Sequence, residues 1–405
     1  MAGGPPLRIL VVHNRYRSAG GPSGENKVVD EEVAQLRAAG VAVETYFRSS
    51  DEIPSFGPAA RAEMAVRPIY SRGDVAALGD LLDTFRPDVL HLHNPFPLIS
   101  PWVVRTAKAR GVPVVQTVHN YRHVCAQGAF FRDGRSCQDC VGKAVPWPSV
   151  VHGCYRGSRP QSVVMATALT LHRPTWRLVD RFLPVSPFAA EQLARAGLPP
   201  AKMTVKPNGV ADPGRVVAAG EGFLFVGRLA PDKGITLAID AWAKSGLGST
   251  TRLVVAGDGE ERAIIESAAR RLPGIEYVGP VDQARVGELL DACAVAIVPS
   301  LCAESFGRFA VEAFAHGRPV VASALGASTE IVAGERGWLS APTADEFANR
   351  MIAATDRAIA EHKGRAGRAH YEASYTADRV LDILLDTYES LRVRGGDERE
   401  RTGVA

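Results

Sequence analysis

The sequence predicts an α/β protein built from two consecutive, doubly wound parallel-sheet domains, and three observations carry that expectation. Short apolar runs rich in β-branched residues alternate with stretches of helical spacing, the rhythm of parallel strands joined by crossover helices. The rhythm runs twice, interrupted by a Gly/Pro-rich segment from Lys206-Pro207-Asn208-Gly209-Val210 to Gly222. At 405 residues the chain is too long for one ordinary core and suits two.

The first series opens with Leu7-Arg8-Ile9-Leu10-Val11-Val12, too short for a helix and apolar enough for a buried strand. A Gly-rich loop over 18–24 follows. Val28, Val29, Val33 and Leu36 then give helical spacing over Asn26–Ala39, closed by Gly40 before a strand that starts at Val41. Helix Asp74–Phe85, strand Asp88–His93, helix Pro101–Ala109 and strand Val112–Val118 continue the pattern. It breaks between Asn120 and Gln161 and resumes with helix Val163–Leu178 and strand Arg181–Val185.

The second series predicts strands at Phe223–Val226, Arg252–Ala256, Glu276–Val278, Val295–Val298 and Pro319–Ala322. Helices are expected at Ile235–Ala243, Glu260–Arg271, Arg285–Asp291 and Phe309–Ala315, with an amphipathic helix over Thr376–Arg392 and a charged, frayed tail from Gly395. The expected domains are 1–206, with a Cys-rich insertion over 121–160, and 207–371. A helix over 372–394 is expected to return to the first domain, and 395–405 to be a flexible tail. Two such Rossmann-like halves facing across a cleft would bind ligand at the carboxyl ends of their strands.

Composition narrows the function. Hydrophobic residues make up 46% and charged residues 22%, which is globular rather than disordered. With 47 Lys+Arg against 44 Asp+Glu the net charge is only +3, which argues against nucleic acid as a partner. No apolar run approaches the roughly 20 residues needed to span a bilayer. Met1–Pro6 lacks the basic start of a secretory signal, so a cytoplasmic protein is expected.

The second half carries the most specific chemistry. Gly227-Arg228-Leu229 and Asp232-Lys233-Gly234 put two cations directly after a strand, where they could clamp a diphosphate; two solvated surface charges are the plain alternative. Gly257, in Ala256-Gly257-Asp258-Gly259, would allow close backbone approach to a ligand, or form a turn. In Cys302-Ala303-Glu304-Ser305-Phe306-Gly307-Arg308, a helix start offers backbone N–H groups beside Glu304. Glu312 lies two turns along among apolar Val311, Ala313 and Phe314, company in which a carboxylate usually has a partner.

At these residues the chain resembles the retaining glycosyltransferases of family 4, which have the GT-B arrangement of two Rossmann-like domains. Pro207-Asn208-Gly209-Val210 and Gln116-Thr117-Val118-His119-Asn120 match further family positions. The resemblance implies that Arg228 and Lys233 hold the donor diphosphate, and that Glu304 binds the transferred sugar, with the backbone of Phe306 and Gly307 nearby. It implies that Glu312 takes the ribose hydroxyls and that His119 approaches the reacting face of the sugar. It also brings in Gly20 and Gly21 as the pair that lets the first loop approach the phosphate, and Asn208 and Gly257 as substrate-binding positions. Gly326-Ala327 stands where the family often has two glycines. His91 and His93 fall on a strand that is core in the family, so they are read as structural or lining and are assigned no metal.

Cys125, Cys137, Cys140 and Cys154 fall within 30 residues and include one C-x2-C knuckle. In a cytoplasmic chain that spacing suits a structural Zn²⁺, with free or redox-active thiols as the alternative. Around them Arg122, Arg132, Arg135, Lys143, Arg156 and Arg159 mix with Phe130, Phe131, Trp147 and Tyr155. This is either a surface for a phosphorylated or lipid-linked acceptor at the inner membrane face, or a stapled loop with a solvated rim.

The expected function is transfer of a sugar from a nucleotide-diphosphate donor, a UDP-sugar among the candidates, with no catalytic metal. A GT-B sugar-nucleotide epimerase and a non-catalytic scaffold are the alternatives. Conversion of a nucleotide sugar with no acceptor would favour the first, and failure to bind any nucleoside diphosphate the second.

Overall fold

In the computed structural model, residues 6–18, 23–57, 60 and 63–402 are described, with side chains to 392. Gly20 and Gly21 lie outside the described residues. The chain divides into two compact units. One comprises Met1–Gly128, Gln138–Lys206 and Leu381–Ala405, the other Ala129–Cys137 and Pro207–Val380.

The first unit is a five-stranded sheet of β1 (Arg8–Arg15), β2 (Ala42–Ser49), β3 (Val89–Leu92), β4 (Val114–Val118) and β5 (Arg181–Pro184), in the order β2-β1-β3-β4-β5. Every pairing is parallel. Alternation sends successive strand residues to opposite faces, and both faces are buried, which is why the strands read as unbroken apolar runs. Leu10, Val12, Leu90 and Leu92 pack with Leu78 and Leu82 of α2 (Arg72–Phe85). Ile9, Val11, Val89 and Val115 pack with Val29, Val33 and Leu36 of α1 (Gly24–Ala38). That second face is completed by Leu384, Tyr388 and Leu391 from the C-terminal helix. Its backbone spans Ala377–Thr402, running past Gly395 where the charge run predicts a frayed tail.

The second unit is a six-stranded sheet of β6 (Phe223–Val226), β7 (Leu253–Ala256), β8 (Ile275–Gly279), β9 (Val295–Val298), β10 (Val320–Ser323) and β11 (Gly337–Ser340), in the order β8-β7-β6-β9-β10-β11. All of its pairings are parallel as well. In both sheets the strand order reverses direction next to the first strand of the series, the switch point at which such folds hold ligands.

Elements with no counterpart in the sequence reading include β11 and the helices Pro187–Arg195, Ala344–Ala353 and Arg357–Ser374. The helix expected over Val163–Leu178 is two helices, Arg159–Leu171 and Arg173–Trp176, separated at His172. His172 is buried at the break, its Nε2 2.8 Å from the Ile69 carbonyl oxygen. Among the described residues no helix is long and apolar enough to cross a membrane.

Candidate active site

The loops after β6, β7 and β9 are stitched together by their backbones. The Gly227 N–H donates to Ala256 O at 3.1 Å and the Leu229 N–H to Asp258 O at 2.8 Å. Leu301 N–H donates to Asp232 O at 2.9 Å. Gly257 sits in this weave at φ +141°, and a Cβ there would fall 1.9 Å from Gly227 O, so only glycine fits.

This scaffold presents three cation–carboxylate pairs. Lys233 Nζ lies 2.6 Å from Glu304 Oε1, which also accepts from Ser300 Oγ at 2.7 Å. Arg228 Nη2 lies 2.9 Å from both carboxylate oxygens of Asp232. Arg308 Nε donates to Glu312 Oε1 at 3.0 Å, across one turn of the helix Arg308–Ala315. Burial alone would depress the Lys233 ammonium, but Glu304 outweighs it and the pKa is raised. Burial would likewise raise the Glu304 carboxyl, yet Lys233 holds it below the usual range, so both are charged at neutral pH.

The structure thus joins Lys233 to Glu304 and gives buried Glu312 the partner its apolar company demanded. Asp232, Ser300 and Arg308 are polar partners the sequence reading left unassigned; the i,i+4 spacing of Arg228 with Asp232 and of Arg308 with Glu312 was their signal. Phe306 is buried edge-on to Tyr375, ring centroids 5.7 Å apart, which leaves only its backbone to serve a ligand. Gly307 caps the helix at φ +80°, with no side-chain cap on the N–H groups that follow. Asn208 is buried with no hydrogen-bond partner for its Oδ1 among the described residues, and Gly326 pairs with Glu304 in a single parallel bridge.

In the first unit His119 follows β4 and meets His93, with Nε2 2.9 Å from His93 Nδ1. His91 and His93 are buried, as a core strand requires, but they surround a carboxylate that the sequence reading did not connect to them. Glu32 Oε1 lies 3.1 Å from His91 Nδ1 and 3.3 Å from His93 Nε2. Its Oε2 lies 2.6 Å from Lys206 Nζ. Burial alone would raise the Glu32 carboxyl; Lys206, then His91 and His93, hold it well below its ordinary value. Glu32, His91 and His93 would also satisfy the spacing of a metal site, their ligand atoms all within 4.8 Å. The ammonium already balances the carboxylate, so a divalent ion would leave an uncompensated double charge in the core.

Among the described residues no three sulfurs of the four cysteines expected to bind zinc lie within 4.8 Å of one another. The tetrahedral set is therefore not assembled. Short local elements order the insertion instead: a two-stranded hairpin, Phe131–Arg132 with Arg135–Ser136, and the helix Trp147–Val151. Its cations stack on its rings, Arg122 6.0 Å from the Tyr155 centroid and Lys143 5.5 Å from Trp147.

Burial holds four imidazoles of the first unit neutral: His13 falls to about 3, and His93, His123 and His172 to about 4. These folded-state values lie below the unfolded one, so the stability they contribute is present above pH 6.5 and lost as pH falls toward 4. Glu25, raised by burial to about 7, works in the opposite sense but is one group against four. Calorimetry should therefore show the melting temperature falling by at least roughly 5 °C between pH 7.5 and pH 5. A flat profile would contradict buried neutral imidazoles.

Two family models match the chain: "Glycosyl transferase 4-like domain" over residues 23–209 and "Glycosyl transferases group 1" over residues 220–357. The chain is 28% identical over 317 residues to a phosphatidyl-myo-inositol mannosyltransferase of Mycobacterium leprae, a match covering 76% of this chain and 75% of that one. It is 33% identical to a GDP-mannose-dependent α-(1-6)-phosphatidylinositol dimannoside mannosyltransferase of Mycobacterium tuberculosis, over 43% of this chain and 46% of that one. Among solved structures, Anabaena Alr3699/HepE in complex with UDP and glucose superposes with a TM-score of 0.65 at 16% identity, covering 95% of this chain and 100% of that one. Sucrose-phosphate synthase of Thermosynechococcus elongatus does so with a TM-score of 0.68 at 18% identity, covering 96% and 100%. The folded halves, the paired Lys233 and Glu304 and the two family matches converge: the chain belongs to the family 4 type of glycosyltransferases and has the GT-B fold.

Proposed function

We propose that the protein transfers a sugar from a nucleoside-diphosphate donor to an acceptor hydroxyl with retention of configuration, the cationic work being done by Arg228 and Lys233. The observation that carries this reading is the Lys233–Glu304 pair, 2.6 Å apart on loops that leave the carboxyl ends of two neighbouring strands. Lys233 would neutralise the departing diphosphate while Glu304 accepts from the sugar hydroxyls. Arg228 is half exposed, and exchanging Asp232 for phosphate costs little, since exposed ion pairs are worth about 0–1 kcal/mol. Glu312 would take the ribose hydroxyls, and the N–H groups after Gly307 would meet phosphate. The bond from the anomeric carbon to the diphosphate oxygen breaks, and the bond to the acceptor oxygen forms on the same face. The acceptor's proton leaves with the diphosphate, and His119 is assigned to the reacting sugar.

A lipid-linked or phosphorylated acceptor is the proposal for the first unit. Val145, Trp147 and Val151 are exposed apolar residues in the insertion, beside Lys143. The named substrates of the mannosyltransferase relatives, phosphatidylinositol derivatives, have that chemistry.

The test is to incubate the protein with GDP-mannose or UDP-glucose and phosphatidylinositol vesicles, and to read the product's anomeric proton by NMR. The expected outcome is an acceptor-dependent product that keeps the donor's α configuration. Release of free sugar or an epimerised donor, with no acceptor consumed, would favour the epimerase reading instead.

A further inference from the structure

The buried polar cluster of the first unit has more structure than a core needs. Glu32 comes from α1, His93 from the end of β3, His119 from the end of β4 and Lys206 from the chain after β5. Their atoms form a line: Lys206 Nζ to Glu32 Oε2 at 2.6 Å, Glu32 Oε1 to His93 Nε2 at 3.3 Å, and His93 Nδ1 to His119 Nε2 at 2.9 Å. The His93 and His119 rings lie within 15° of parallel. Glu32 Oε1 and His93 Nε2 have no well-aligned hydrogen-bond partner among the described residues; Glu32 Oε1 also lies 3.1 Å from His91 Nδ1, whereas His93 Nε2 has Glu32 alone to face.

Proton bookkeeping decides the rest. A single proton lies between His93 Nδ1 and His119 Nε2, and either ring could own it. If it belonged to His93 Nδ1, the neutral ring would turn the lone pair of Nε2 toward a buried carboxylate oxygen, two acceptors face to face. If it belongs to His119 Nε2, His93 carries its own proton on Nε2, pointed at Glu32, and no repulsion arises. An ionised Glu32 therefore selects the second arrangement, and Lys206 keeps Glu32 ionised. His91 stands beside the line, its Nε2 2.8 Å from Thr117 Oγ1 and its Nδ1 2.6 Å from the Tyr388 hydroxyl, which anchors the strand that carries His93.

We propose that Glu32, held by Lys206, acts through His93 to fix His119 in the Nε2–H tautomer, so that the lone pair of His119 is placed on Nδ1. Glu32 and His93 are positioning residues for the imidazole that the proposed function assigns to the sugar, and their significance for transfer rests on that assignment. The line itself does not, because it can be read without turnover.

The experiment is a long-range ¹H–¹⁵N correlation spectrum of ¹⁵N-histidine-labelled full-length protein, which reports which ring nitrogen carries the proton. The His119 signals are assigned by their loss in His119→Gln. Wild type should show a protonated Nε2 on His119. In Glu32→Gln, Lys206 claims the amide oxygen and the amide N–H₂ faces His93, so both tautomers should invert and the proton of His119 should move to Nδ1. His119 retaining its Nε2 proton in that variant would overturn the proposal.

If Glu32→Gln does not fold, His93 supplies the same reading. His93→Asn keeps an acceptor for His119 and should preserve its tautomer, whereas His93→Leu should give a mixture of the two. Identical His119 spectra in wild type and His93→Leu would also overturn it. Inversion of the tautomer in a family whose His119→Ala variant keeps full transfer would leave the relay standing and remove the role assigned to His119.

Discussion

Lys233→Ala should lower turnover roughly a hundredfold or more, the scale for removing one preorganised charge contact from a departing group. The geometry explains why the loss should exceed that of an ordinary surface lysine. Lys233 is only partly exposed, it is 2.6 Å from Glu304, and its loop is pinned where Leu301 N–H donates to Asp232 O at 2.9 Å. An alanine would remove the cation proposed to face the diphosphate and the ammonium 2.6 Å from the Glu304 carboxylate. Lys233→Arg tests placement against charge: it restores the charge but not the point geometry, so it should recover part of the rate. Steady-state kinetics with a saturating donor checks both. Near-normal turnover in Lys233→Ala would remove the diphosphate assignment from this residue.

Gly364→Ala should destabilise the second unit although alanine is the better helix former. Gly364 lies inside the helix Arg357–Ser374, where a Cβ would sit 2.2 Å from the Gly317 carbonyl oxygen. The neighbour is backbone and cannot swing aside. The gain in helix propensity is about 1 kcal/mol, and forcing a methyl into a closed contact costs about 1–3 kcal/mol, more where main chain must move. Gly367 repeats the arrangement against the Phe314 ring, with a Cβ 2.5 Å from its Cδ1. Urea unfolding should show a lower midpoint for Gly364→Ala than for wild type. An equal or higher midpoint would show that the helix is not packed as closely as the structure has it.

That helix also marks where sequence reading runs out. Its buried positions are Ala360, Gly364, Gly367 and Tyr371, small residues chosen for close approach, so hydrophobic periodicity is silent and the glycines argue against a helix. Strands such as Phe223–Val226 and Val295–Val298 were legible to the residue, because burial on both faces leaves an unmistakable apolar run. The residues proposed for the donor side were legible because their spacing is local: Arg228 and Lys233 share one loop, and Glu304 lies on the loop that leads into the helix carrying Glu312. The Lys206–Glu32 pair was not, since its partners are 174 positions apart and only the fold brings them together. The cysteines are the reverse case: they are close in sequence, yet among the described residues no three of their sulfurs lie within 4.8 Å of one another, and cation–ring contacts run through the insertion instead.

The most direct measurement is a calorimetric titration of UDP and of GDP into wild-type protein and into Lys233→Ala. The account predicts that wild type binds one of these nucleotides at about one equivalent per chain, as expected of a single donor site. It predicts at least roughly tenfold weaker binding in the variant, the loss of a charge-assisted contact to phosphate. Wild type that binds neither nucleotide, or a variant that binds as tightly as wild type, would contradict a diphosphate site built on Lys233.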